Sequence, residues 1–349
     1  MPRPHILIVS PASRRENNGN WQTASRWRRH LARDHRITIA SGWQSGDAAP
    51  DLLIALHARR SGNALAAFKA AHPHKPALLV LTGTDLYRDI HVDGDEGAIA
   101  RASLALADAI VVLQPRGLDQ LDDAARAKTR VIYQSAPTLR ARRAPARAPA
   151  RASARTRTRA GMPLDVAMIG HLRQEKDPLT FIRAAGLVGV PGLRLLHVGA
   201  ALEPLLAEAA RSEQAANPRY RWRGALPHMA TRRVLRRCHA MVIASSMEGG
   251  ANVIIEAVTC GVPVLASSID GNRGMLGEDY AGYFALGDAA ALAALIERSV
   301  LDAGFYARLQ RQCAARARLF APDAERARLL DLVDNLLSRK QPSPTKDLT

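Results

Sequence analysis

The stretch Ala244-Ser-Ser-Met-Glu-Gly-Gly-Ala-Asn-Val-Ile-Ile-Glu-Ala-Val-Thr-Cys-Gly-Val-Pro-Val264 carries two glutamates, Glu248 and Glu256, on either side of a glycine pair. Its pattern predicts a strand ending near Ala244 and a helix that opens near Gly249 and stops at Cys260-Gly261 before a further strand. The N–H groups at such a helix start, together with the positive end of its dipole, suit a diphosphate. Gly249 and Gly250 let a ligand approach the backbone closely. Glu248 then lies at the mouth of the site. Glu256 lies a turn or two inside the helix, where a carboxylate can accept hydrogen bonds from a ribose diol. Either glutamate alone would read as a solvated helix charge; the whole phrase points to a nucleotide diphosphate.

A second group of residues has related chemistry. Val166-Ala-Met-Ile-Gly-His-Leu-Arg-Gln-Glu-Lys-Asp-Pro178 places His171, Arg173 and Lys176 between a strand and a helix start. Cations there oppose the helix dipole, a cost that an anionic ligand relieves. In the first half, Asn17, Asn18, Gly19, Asn20 and Thr23 open an amphipathic helix and form a second terminus suited to an anion, although Asn-Asn-Gly by itself is a plain cap and turn. Arg14, Arg15, His57, Arg59 and Arg60 fall at the ends of the first and third expected strands, where acidic residues are scarce. They suit an anionic acceptor.

Other chemistries lack their residues. The first strand is followed by Pro-Ala-Ser-Arg-Arg-Glu-Asn-Asn-Gly-Asn and not by Gly-x-Gly-x-x-Gly, and the sequence contains no Gly-x-x-x-x-Gly-Lys-Ser/Thr loop, so nicotinamide binding and P-loop ATPase chemistry are excluded. Asp93-Gly-Asp95 follows no apolar strand and reads as a turn, not as a metal-holding triplet. Cys238, Cys260 and Cys313 are too far apart for a metal knuckle. No metal ligand set and no cofactor is expected.

The elements that must position these residues follow one grammar on both sides of an Arg/Ala/Pro-rich stretch. Strands are expected at His5–Ser10, His35–Ala40, Asp51–His57, Ala77–Thr82, Ala109–Leu113 and Arg130–Tyr133, with helices at Gly19–Arg33 and Asn63–Ala71. In the second half they are expected at Leu164–Gly170, Leu193–Gly199, Tyr220–Arg223, Ala240–Ala244, Pro263–Ala266 and Gly282–Ala285, and the chain is helical from Asp288 to about Arg339. Runs such as Leu-Leu-Val-Leu and Met-Val-Ile-Ala suit strands buried on both faces, as in parallel sheets. The fold class is therefore α/β, two Rossmann-like doubly wound domains facing a cleft. The expected limits are residues 1–135, a linker at 136–163, a second domain at 164–320, a helix at 321–339 that packs back on the first domain, and a tail at 340–349.

The net charge of +17 invites a nucleic-acid reading, but eight of the arginines lie between Ala136 and Leu164, a segment with no acidic and no aromatic residue. A like-charge, low-complexity block of this kind is a solvated linker, and without base-stacking side chains no nucleic-acid partner is expected. No apolar run approaches the roughly 20 residues that span a bilayer, so a cytoplasmic protein without integral membrane association is expected.

The glutamate phrase resembles the Glu-x7-Glu signature of retaining-type nucleotide-sugar glycosyltransferases of the GT-B fold, the family 4 group, and the resemblance extends over nearly the whole chain. Lys176 matches the lysine of that family's second signature, whose cations hold the donor diphosphate; His171 stands at its arginine position, with Arg173 as the neighbouring cation. Gly271, in Ser268-Ile-Asp-Gly-Asn-Arg-Gly, resembles the loop that lines the sugar pocket, and Gly224, in Tyr220-Arg-Trp-Arg-Gly, resembles the turn that meets the base. The resemblance implies donor binding by His171, Gly224, Gly249, Gly250, Ala251, Asn252, Glu256 and Gly271, with Glu248, Lys176 and Arg173 at the reacting centre. Asn17 to Trp27 and Thr82-Gly-Thr-Asp-Leu-Tyr resemble the selenosugar synthases of selenoneine biosynthesis. That implies UDP-N-acetylglucosamine as donor and selenophosphate as acceptor, with Asn17, Asn18, Gly19, Asn20, Thr23, Arg14, His57 and Arg59 holding the acceptor. A sugar hydroxyl acceptor, as in ordinary family 4 enzymes, is the alternative.

Overall fold

Runs such as Leu-Leu-Ile-Ala-Leu and Ala-Leu-Leu-Val-Leu have no polar face to give to solvent, and each becomes a parallel strand covered on both sides. The computed structural model describes residues 3–16, 18–139 and 164–338. These divide into one unit of residues up to Gln134 together with those from Pro322, and a second unit, Ser135–Ala321.

The first unit runs β1 (His5–Val9), α1 (Gly19–Leu31), β2 (Arg36–Ala40), β3 (Leu52–Leu56), α2 (Gly62–Ala71), β4 (Ala77–Leu81), α3 (Thr84–Tyr87), α4 (Asp95–Leu106), β5 (Ala109–Val112), α5 (Asp123–Ala127) and β6 (Thr129–Val131). Its strands pair in the order β2-β1-β3-β4-β5-β6, all parallel. Ile6 lies beside Ile37 on one side and Leu52 on the other. The winding reverses between β1 and β3, so the loops after these two strands open at the switch point where ligands of such sheets bind.

In the second unit the order along the chain is β7 (Leu164–Ile169), α6 (Pro178–Leu187), β8 (Leu193–Val198), α7 (Pro204–Ala216), β9 (Tyr220–Trp222), α8 (His228–Leu235), β10 (Ala240–Ile243), α9 (Asn252–Thr259), β11 (Val264–Ser267), α10 (Asp270–Leu276), β12 (Tyr283–Phe284), α11 (Ala289–Leu301) and α12 (Ala303–Arg316). Its sheet order is β12-β11-β10-β7-β8-β9, again all parallel, with the reversal between β7 and β10. The strands lie within two residues of their expected ends. One helix does not: α9 begins at Asn252 and not near Gly249, because Ala251 is still extended and the glycine pair belongs to the preceding turn.

The last helix, α13 (Pro322–Ser338), returns to the first unit. Its Leu329, Val333 and Leu336 join a core with Ile6, Ile8, Trp27 and Leu31. Glu325 is buried there and accepts hydrogen bonds from Arg26 Nε (2.9 Å) and Trp27 Nε1 (2.8 Å). The segment expected as a linker from 136 begins tied down. Ala136 is buried and donates to the Phe320 carbonyl, and Arg232 donates to the Pro137 carbonyl. Its arginines, Arg140 to Arg159, and the tail at 340–349 lie outside the described residues.

Candidate functional site

The switch point of the second unit brings together the two loops singled out in the sequence, because β10 pairs directly with β7. The loops are joined by a hydrogen bond from the Ser246 N–H to the Glu175 carbonyl (3.0 Å). Across that junction Lys176 Nζ forms a direct ion pair with Glu248 Oε1, and Ser245 Oγ donates to the same oxygen at 2.7 Å. Behind them Ser267 Oγ donates to the Ser245 carbonyl (2.6 Å), and Asn272 Nδ2 donates to Ser267 Oγ (3.0 Å). Gly271 faces the Glu248 backbone. The loop turns into α6 through Asp177, a left-handed residue with φ of 42°, whose carboxylate caps Thr180. Such a conformation costs an ordinary residue roughly 1–3 kcal/mol, so the surrounding bonds must hold it.

His171 stands where a cation was sought, and the structure makes it something else. Its Nδ1 accepts from the Ala200 N–H (3.0 Å), so its proton sits on Nε2. Burial, with Arg173 and Lys176 nearby, lowers its pKa below the ordinary histidine range. His171 is thus a neutral N–H donor near pH 7, and the positive charge of this loop is carried by Lys176 and by the partly exposed Arg173, whose Nε lies 3.9 Å from Glu175. Beneath the loop, buried His197 bridges the Gly170 carbonyl (3.2 Å) and the Tyr220 hydroxyl (2.9 Å), and burial lowers its pKa to about 4. Gly199 approaches so closely that a Cβ there would sit 1.8 Å from the Gly170 oxygen. Gly224, at φ of 65°, accepts from the Gly199 N–H, and Trp222 donates through Nε1 to the Gly199 carbonyl.

Glu256 lies in the second turn of α9, with its side chain only 11% exposed. No side chain caps the start of this helix at Ala251, unlike α1, α6 and α11, where Asn18, Asp177 and Asp288 do so. The Glu256 Oε1 is met by His228 Nε2 at 2.6 Å. His228, Ser245 and Asn272 are not singled out by the sequence. Only the Gly-x-x-Pro-His spacing after β9, which opens a helix at His228, could have pointed to the first of them.

In the first unit Asn17 lies outside the described residues. Asn18 caps α1, accepting from the N–H groups of Asn20 and Trp21, while Gly19 and Asn20 form the first turn. Thr23 is buried; its hydroxyl donates to the Gly19 carbonyl and accepts from Gln134 Nε2. Arg14 is exposed. After β3, His57 is buried at φ of 76°, with Nε2 on the Thr84 hydroxyl (2.9 Å) and Nδ1 accepting from the Arg60 N–H (3.3 Å). The expected scarcity of acids around it is wrong. The loop after β4 delivers buried Asp85, which accepts from the backbone of Ala58, Thr82 and Gly83, and buried Asp89, which holds Arg59 Nε at 2.8 Å. Arg59 also pairs with Glu96. These acids are distant in sequence from β1 and β3, and the pairing of β4 with β3 brings them in. Asp93-Gly94 is a turn leading into α4, with Gly94 at φ of 85°. Among the described residues no three His, Cys, Asp or Glu side chains converge as a metal ion requires, and no helix is long and apolar enough to cross a membrane.

Residues 152–320 match the family model described as glycosyl transferases group 1. The matched residues lie within the second unit. The two parallel-sheet, Rossmann-like units match the GT-B fold of known glycosyltransferase structures. Sucrose-phosphate synthase from Thermosynechococcus elongatus superposes with a TM-score of 0.73 at 18% identity, over 97% of this chain and 100% of that one. Anabaena HepE, solved in complex with UDP and glucose, superposes with a TM-score of 0.69 at 16% identity, over 95% of this chain and 100% of that one. Within the matched residues, the Lys176–Glu248 pair, the start of α9 and Glu256 all lie on the loops and helix that follow β7 and β10.

Proposed function

We propose that the protein is a glycosyltransferase that takes a UDP-sugar on its second unit and transfers the sugar to selenophosphate, with UDP-N-acetylglucosamine as the donor. The observation that carries the donor assignment is the gathering of Lys176, Glu248 and the uncapped start of α9 at one switch point, with Glu256 one turn further in. Glu256 accepts the ribose hydroxyls. The Gly249–Asn252 turn and Lys176, aided by Arg173, hold the diphosphate and offset the charge that develops on departing UDP. His171 adds a neutral N–H donor to the same anion. Glu248, anchored by Lys176 and Ser245, stands nearest the reacting carbon. Gly224 and Gly271 leave room for the base and the sugar.

For the acceptor, the reading is supported by exposed Arg14 and by the state of His57, while Arg59 is held by Asp89 and Glu96. Both ring nitrogens of His57 are engaged, so it is not poised to deprotonate a hydroxyl. Selenophosphate needs no base: it is already a polarizable anion, and catalysis reduces to orientation and leaving-group stabilisation. A selenium lone pair forms the C–Se bond as the bond from the anomeric carbon to the UDP oxygen breaks, and that electron pair leaves with UDP. Asn17, Asn18, Gly19, Asn20, Arg14 and Arg59 are the acceptor-binding residues in this reading. Thr23 and His57 shape the site from behind.

Transfer to a sugar hydroxyl is the second reading, favoured by the likeness to HepE and its complex with UDP and glucose. Incubation of the purified protein with a panel of UDP-sugars, with either selenophosphate or glucose, separates the two. A selenium-bearing sugar detected by mass, formed with UDP, is expected; glycosylated glucose without any selenium product would overturn the acceptor assignment.

A further inference from the structure

We propose that His228 is a positioning residue for the donor: its Nε2–H holds one oxygen of the Glu256 carboxylate so that the other is aimed at the ribose diol. This rests on the reading of Glu256 as the ribose ligand. The contact, at 2.6 Å, is shorter than an ordinary N–H···O bond, and bonds to ionised acceptors are the short ones. It joins the first residue of α8 to the second turn of α9.

The position of His228 is itself fixed. Pro227 precedes it at φ of −55°, and Thr231 bonds back to the Leu226 and Pro227 carbonyls. One turn on, buried Arg232 ties the helix to the Pro137 carbonyl and to Thr259 at the end of α9. The donor end of the bond is therefore anchored from two sides. The acceptor end is nearly buried. A carboxylate with one oxygen held has a single orientation to offer, which spares the ligand the cost of ordering it. His228 is 42% exposed, so its ring adds little to the core, and its removal takes away the bond and leaves the packing. An ordinary surface ion pair of this kind would contribute almost nothing measurable. A positioning bond shows itself in donor affinity.

Calorimetry of UDP binding and steady-state kinetics on His228→Ala, His228→Gln, Glu256→Ala and the double alanine variant test this. His228→Ala should weaken UDP binding and raise the donor KM by about 3- to 10-fold, less than loss of a direct charged contact, while kcat stays within about two-fold. The Gln side chain carries an N–H at similar reach, so His228→Gln should restore affinity to within about two-fold of the parent. In the Glu256→Ala background the His228→Ala change should have no further effect. If Glu256→Ala weakens UDP binding and His228→Ala does not, the positioning role is wrong. If Glu256→Ala itself leaves UDP affinity unchanged, the ribose assignment falls and the positioning role with it.

Discussion

A Cβ placed on Gly271 would lie 2.0 Å from the carbonyl oxygen of Glu248, a distance at which the backbone must move. The first turn of α10 and the carboxylate loop are thus packed backbone to backbone, and the demand at Gly271 is for space, not for an unusual φ. Gly271→Ala should displace Glu248 and cut kcat by about 100-fold, the cost of misplacing a reacting group by about 1 Å. UDP affinity, assigned in the proposed function to Glu256, should change by less than about three-fold. A normal kcat in Gly271→Ala would show that the Glu248 backbone position is unimportant.

The two glutamates should separate binding from turnover. If Glu256 accepts the ribose hydroxyls as proposed, Glu256→Ala removes a nearly buried carboxylate, a loss of about 1–3 kcal/mol, and should weaken UDP binding roughly 5- to 150-fold. Glu248→Gln keeps the shape and should lower kcat while leaving UDP affinity near that of the parent. Calorimetry paired with kinetics on both variants checks this, and the reverse pattern would exchange the two roles.

The C-terminal helix is held by a buried charge as well as by its apolar stripe. Glu325→Ala leaves Arg26 and Trp27 Nε1 without their carboxylate, and breaking a buried pair costs about 3–5 kcal/mol. Arg326→Ala breaks a partly exposed pair with Asp34 and a bond to the His30 carbonyl, and should cost about 1 kcal/mol. Urea titrations of the two variants should differ accordingly; equal midpoints would mean that Glu325 is not the anchor.

Acid should weaken the second unit through His197. Folded, this histidine stays neutral down to about pH 4, whereas unfolded it takes up a proton near pH 6.5. The unfolded state therefore binds more protons between these limits. The stability due to this group is complete above pH 6.5 and falls as pH drops toward 4, by on the order of 3 kcal/mol. Denaturant titrations from pH 7 to pH 4.5 should show a steeper loss in the parent than in His197→Gln, and parallel curves would remove His197 as the cause.

The sequence by itself determines the doubly apolar strands, the helices between them, the glycine pair between Glu248 and Glu256, and the cations before Pro178. These are local properties, written in periodicity and spacing. The apolar stripe of Leu329, Val333 and Leu336 is of the same kind and declares a helix with a face to bury. What only the tertiary structure decides is which loops meet. Lys176 reaches Glu248 because β10 pairs with β7, Asp85 and Asp89 surround His57 because β4 pairs with β3, and Glu325 finds Arg26 and Trp27 after nearly 300 residues. The neutrality of His171 and the bond from His228 to Glu256 belong here too. Periodicity states which face of a strand or helix is buried but not which neighbour buries it, and hydrogen-bond partners and pKa shifts depend on that neighbour.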